Sequence, residues 1–256
     1  MERFLRKSVL AAALILFETL PAVDTAPGAV ETQRKYTEKE SIAALTRLGV
    51  PVHVDTRGSA RWIEASGAEL SDEAMRYMPG LKNLEWLEIG SGSVTASGVA
   101  HLKECATLKR LYIHDVNLKD DPLEWLSRLT NLEALSLQRT GIDGRALRNI
   151  TSPNLVVLNV SGNNIVDADM KQIAKMHGLE VLALADTKIT GEGLASLEGM
   201  ARLNELNLVN CAIQDTDLEL LLTMPNLRIV YAEGCNISPM AVHSITSRFQ
   251  MLAIFQ

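Results

Sequence analysis

Along most of this chain apolar residues return on a mixed beat. In LEVLALADTKITGEGL (179–194) they stand at Leu179, Leu182, Leu184, Ile189 and Leu194, with polar or small residues between. With Leu179 taken as position 1, the first four occupy positions 1, 4, 6 and 11. Steps of 24 residues towards the C-terminus give Leu203, Leu206, Leu208 and Ile213, then Leu227, Val230, Ala232 and Ile237. In the other direction the same positions hold Leu155, Leu158, Val160 and Ile165, and a step of 23 reaches Leu132, Leu135, Leu137 and Ile142. Further steps of 24 reach Leu108, Leu111, Ile113 and Leu118, then Leu84, Leu87, Ile89 and Val94, and a degenerate copy at Ala60, Ile63, Ala65 and Leu70. Eight copies stand in register. Repeats of this period mark stacked architectures.

Each copy has two halves. The spacing of 2 between positions 4 and 6 predicts a short strand, and a second apolar pair at positions 16 and 19 predicts a short helix. Leu123 with Leu126, Leu194 with Leu197 and Val242 with Ile245 are examples of that pair. Ser71, Thr95, Thr190 and Ser238 directly follow position 11, where a hydroxyl can accept from the free N–H groups of a helix start. Six aliphatic positions per copy are too few to offset the ordering of some 24 residues. One copy cannot fold alone, but stacking buries each copy's edges against its neighbours.

The ends differ from the repeats. Thr37–Glu40 (TEKE) is a capping box that opens a helix through Ile42, Leu45 and Leu48, stopped at Gly49. PVHVD (51–55) reads as a strand, so 36–58 is taken as an N-terminal cap and 59–256 as the repeat array. Met251 and Ile254 fall on positions 1 and 4 of a truncated ninth strand. Phe249 and Phe255 are expected to plug the end of the core there.

The motif LxxLxLxx(T/C/N)x(I/L) over residues 60–256 resembles the leucine-rich repeat family, and the full unit is most similar to its 24-residue, cysteine-containing and bacterial exported type. The resemblance implies an α/β fold: a right-handed solenoid, or horseshoe, with a parallel sheet on the concave side and short helices on the convex side. It also implies a polar ladder at position 9. That position holds Thr140, Asn163, Thr187, Cys211 and Cys235, but Ala68, Gly92 and Val116 in the first three copies, so the ladder should weaken towards the N-terminus.

Composition changes the picture in a few places. MERFLRK, the apolar run SVLAAALILF (8–17) and a small-residue tail read as a secretory signal over 1–29, followed by a linker at 30–35. The run is short for a bilayer span, and no small-x-small cleavage site stands out, so an uncleaved anchor and a cytoplasmic chain remain alternatives to export. The net charge of −6 argues against nucleic acid, which selects a basic face. Cys105, Cys211 and Cys235 are too few and too scattered for a disulfide scaffold or a zinc site. Cys211 and Cys235 stand one turn apart, as ladder thiols or as a strained pair.

Candidate chemistry is sparse. His53, His101, His114, His177 and His243 show no metal-ligand spacing and no nucleophile motif beside them, and nothing calls for a cofactor. GSGSVTASG (90–98) lacks the ending of a phosphate loop and falls on a repeat turn. Positions 3, 5 and 7 are the ones that face the concave side. Trp62, Trp86, Arg110, Tyr112 and His114 gather there in the first three copies, flanked by Glu64 and Glu88. A second, smaller group is Ile229, Tyr231 and Glu233. Only 4% of the chain is aromatic, yet these columns hold two of its three tryptophans and two of its four tyrosines. Trp, Tyr and Arg are enriched at binding hot spots. The expectation is a non-enzymatic scaffold that binds a protein or peptide, basic in character given the acidic rim. The competing readings are aromatics that merely tile the sheet or pack under the cap, an adaptor or effector subunit, and an enzyme. Residues 36–49 are too short for the extra N-terminal domain that adaptor relatives carry.

Overall fold

The capping box forms as written. Thr37 Oγ1 accepts from the Glu40 amide at 3.3 Å, and a Glu40 carboxylate oxygen accepts from the Thr37 amide at 2.8 Å. It opens the helix Glu38–Arg47, which buries Ala44 and Leu45 over the first turn of the array. The computed structural model describes residues 35–66, 70–90, 92–249 and 252–256, and Lys35–Gln256 form a single unit. The leader read at 1–29, most of the linker, Ala68 and Met251 lie outside the described residues.

Strand β1 (Val52–Val54) pairs antiparallel with β2 (Ala60–Ser66). From there every pairing is parallel and in chain order: β3 (Trp86–Gly90), β4 (Arg110–His114), β5 (Ala134–Gln138), β6 (Val157–Asn159), β7 (Val181–Ala183), β8 (Glu205–Asn207), β9 (Ile229–Tyr231) and β10 (Ala253–Phe255). Register follows the repeat, so Leu87 pairs with Leu111 and Leu111 with Leu135. Because successive strand residues point to opposite faces, Leu87, Ile89, Leu111, Ile113, Leu135 and Leu137 enter the core and are fully buried. The residues between them face out.

The second halves are one or two turns long, some α-helical (Gly144–Leu147, Gly191–Ala195) and others 3-10 (Glu124–Arg128). All four expected caps are in place, with Ser71, Thr95, Thr190 and Ser238 accepting from Ala74, Ser97, Glu192 and Ala241 amides. Trp125, in the helical half, packs into the core.

Two lateral devices tie turn to turn. The first is the position-9 ladder. Asn163 Oδ1 accepts from the Gly141 and Ile142 amides at 2.9 and 3.2 Å, while its Nδ2 donates to Leu137 and Val160 carbonyls. Cys211 and Cys235 are free thiols that donate to the Leu184 and Leu208 carbonyls of preceding turns at 3.2 and 3.1 Å. At the N-terminal end the third copy places buried, apolar Val116 at this position, which can make no such bond. The second device was not foreseen from the repeat. Asp167 accepts from both the amide and the hydroxyl of Thr190 on the next turn, at 2.9 and 2.7 Å. Asp72 does the same for Thr95, and Asp215 for Ser238. Gly193 makes room for this lock, since a Cβ there would stand 2.3 Å from Asp167 Oδ1.

One expectation fails. Phe249 and Phe255 are 42% and 49% exposed and do not plug the core. Phe255 falls on position 5 of its copy, an outward column, and stacks on Tyr231 with ring centroids 5.4 Å apart. Leu252 and Ile245 close the core instead.

Asp167→Ala strands two donors of Thr190 and should cost roughly 1–3 kcal/mol, read as a lower urea midpoint. The Cys105 thiol is pushed up to about 12 by burial, so at pH 8 iodoacetamide should leave it unmodified in the folded chain, with the half-buried Cys235 reacting first.

Candidate functional site

Parallel pairing converts repeat positions into straight rows across the open face of the sheet. The row at position 3 runs Trp62, Trp86, Arg110, Ala134, and the row at position 5 runs Glu64, Glu88, Tyr112, Ser136. The structure therefore brings together all seven residues of the first group. His114 lies in the next row, opposite Gln138.

The aromatic rings are fixed against each other. Trp86 meets Tyr112 edge-on, with centroids 6.4 Å apart and planes at 73°, an arrangement that ring quadrupoles favour. Both are half-buried, and burial holds the Tyr112 hydroxyl above its usual pKa. Trp62 is covered on one side, as cap packing would require: His53 of β1 stacks on it with centroids 4.8 Å apart and planes 10° apart. Arg110 and Glu64 are exposed.

A chain of polar contacts borders these rings. His114 Nε2 stands 3.3 Å from Glu88 Oε1, and its Nδ1 stands 3.3 Å from Asp115 Oδ2. Asp115 in turn accepts two bonds from the Arg139 guanidinium, at 2.7 and 2.8 Å. That pairing, with the His114 contact, holds the Asp115 carboxyl down at about 2. Asp115 and Arg139 are at position 8, where the chain leaves the strand in the left-handed region, with φ of 59° and 52°. Aspartate tolerates this conformation; arginine does so at a cost. Gly162, at the same position on the next turn, leaves the space that Arg139 needs, since a Cβ there would lie 2.6 Å from Arg139 Cγ.

The second group is Ile229 and Tyr231 on β9, with Glu233 exposed just beyond. It includes Phe255, an outward residue stacked on Tyr231 rather than a core plug. His53, Asp115 and Arg139 were also missed. Phe255 was legible from its position number. The other three depend on the cap's antiparallel register and on the left-handed turn, which apolar periodicity does not report.

Residues 153–213 match the profile of the leucine rich repeat family. The chain has the leucine-rich repeat fold. Among solved structures, the repeat array is similar to internalin C2 from Listeria monocytogenes, at 19% identity and a TM-score of 0.58, over 84% of this chain and 91% of that one. It is also similar to a leucine-rich repeat protein of Leptospira interrogans, at 24% identity and a TM-score of 0.52, over 70% of this chain and 45% of that one. In leucine-rich repeat folds the inner sheet face is the surface whose side chains the core does not use, and here that surface carries the aromatic rows. Among the described residues no helix is long and apolar enough to cross a membrane.

The folded-state pKa of Asp115 lies below its unfolded value near 3.9. Its pairing therefore stabilises the fold fully above about pH 4, and that contribution is lost as pH falls through about 2. The Tm gap between the wild type and Asp115→Asn should be present at pH 6 and close near pH 2.

Proposed function

We propose that this repeat array is a non-enzymatic recognition scaffold that binds a protein or peptide on its concave face. The observation that carries the reading is the fixed Trp86–Tyr112 pair beside Arg110 and the Glu88–His114 contact, in rows that serve no core role. A rigid aromatic pair offers contact area at low entropic cost, and a charged border steers and orients a partner. Glu64, Glu88, Glu205 and Glu233 on or beside that face favour a partner of basic character.

The chain fits the 24-residue, cysteine-containing type, and the basic start with its apolar run at 8–17 supports export to the periplasm or beyond as the route to its partner. The position-9 series Thr140, Asn163, Thr187, Cys211 and Cys235 supports the subtype.

Capture from the exported fraction with tagged wild-type chain, Trp86→Ala and Arg110→Glu checks the proposal. Both variants should lose the same partner. Arg110 is exposed, so its loss of binding would not reflect unfolding. An unchanged bound set with both variants overturns the assignment of this face.

A further inference from the structure

The aromatic groups of the concave face stand at opposite ends of it. Tyr112 on β4 and Tyr231 on β9 are five strand spacings apart, about 24 Å at ~4.8 Å each. The floor between them starts from short side chains, Ala134, Ser136, Val157, Val181 and Ala183, with Asn159 among them, and carries Glu205 and Asn207 on β8. Strands β6 to β9 are three residues each, so the floor there is about 10 Å wide. The face is thus a shallow trough that runs across the strands, with a bulky ring group at each end.

Its charge is one-sided beyond β4. The outward positions from Ala134 to Glu233 hold Glu205 and Glu233 and no lysine or arginine. Among the described residues neither carboxylate, nor that of Glu64, has a hydrogen-bond or ion-pair partner. Backbone pairing is closed to a ligand here, because every strand from β2 to β9 is bonded on both sides. Recognition must run through side chains.

We propose that the trough seats a basic amphipathic α-helix of the partner, laid across the strands. The inference deepens the recognition reading above and rests on it. A helix is about 10–12 Å across and rises about 1.5 Å per residue, so some 16 residues reach from one ring group to the other. Its apolar stripe lies on Val157 and Val181. Its lysines or arginines reach Glu205 at one edge of the floor and Glu233 beyond the other, and its ends abut Tyr112 and the Tyr231–Phe255 stack.

The test titrates the full chain by fluorescence anisotropy with three labelled 18-residue Leu/Lys peptides of equal composition. One is stapled as an amphipathic helix. One is stapled with the stripe scrambled. One is held extended by interspersed prolines. The amphipathic helix should bind at least tenfold more tightly than either of the others at low salt. A Glu205→Gln/Glu233→Gln double variant should weaken it about tenfold, and Val181→Arg on the floor should abolish binding. Equal affinity for the two stapled peptides, preference for the extended one, or indifference to the variants overturns the helix proposal. Outcomes separate it from the broader reading. A partner that needs Trp86 and Arg110 but is not displaced by the amphipathic peptide leaves concave-face recognition standing without the helix. A captured set blind to both N-terminal variants, alongside tight peptide binding, leaves the helix seat standing without the N-terminal anchor.

Discussion

Everything in this molecule depends on one constraint: a turn of some two dozen residues has no interior of its own. Its leucines are buried only because another turn lies on each side, and its polar backbone is satisfied largely through the neighbour. The sheet bonds, the Asn163 contacts to the preceding turn and the Asp167 lock on Thr190 are three answers to that demand, at three points around the coil. They act at different points of the cross-section, so a turn that has all three is held against rotation as well as separation. The antiparallel β1 hairpin and its helix supply the same service where a first turn has no predecessor.

The locks also show how the repeat absorbs irregularity. The copy that starts at Leu132 is one residue short, yet Leu135 still pairs with Leu158. The deletion falls after Ile150, in the turn 151–154 that leads back to the sheet, where the chain can lose a residue without moving either the helix or the strand. A deletion within the strand would have turned its leucines outward. The third copy departs further: Leu123 is fully buried with a left-handed φ of 54°, after Pro122. That copy also lacks a polar position-9 residue, so it relies on apolar packing and on the Asp115–Arg139 pair instead.

What was legible in the chain follows from which physics is periodic. Core positions, strand order and helix caps recur every turn, so counting by 24 placed them, including the outward columns that hold Trp86 and Tyr112. Contacts that occur once leave no period. His53 reaches Trp62 only because the cap strand runs antiparallel, and Arg139 reaches Asp115 only because both residues leave the strand through left-handed geometry. The Asp locks are intermediate. An aspartate that precedes a Thr or Ser by 23 residues occurs three times, at 72, 167 and 215, a signal visible only once the helix starts of adjacent turns are known to touch.

The strict alternation within each strand separates two kinds of selection. Inward residues answer to the neighbours that pack on them, while outward ones answer mostly to the residues beside them on the face. A lineage could therefore rewrite much of that face, column by column, while keeping Asn159, Ser161 and Asn207, whose side chains accept from backbone amides. Arg139 limits that freedom further: its side chain leans over Gly162, so a side chain added at 162 obliges Arg139 to move. That pair is a point where the identity of the surface is written into the scaffold itself.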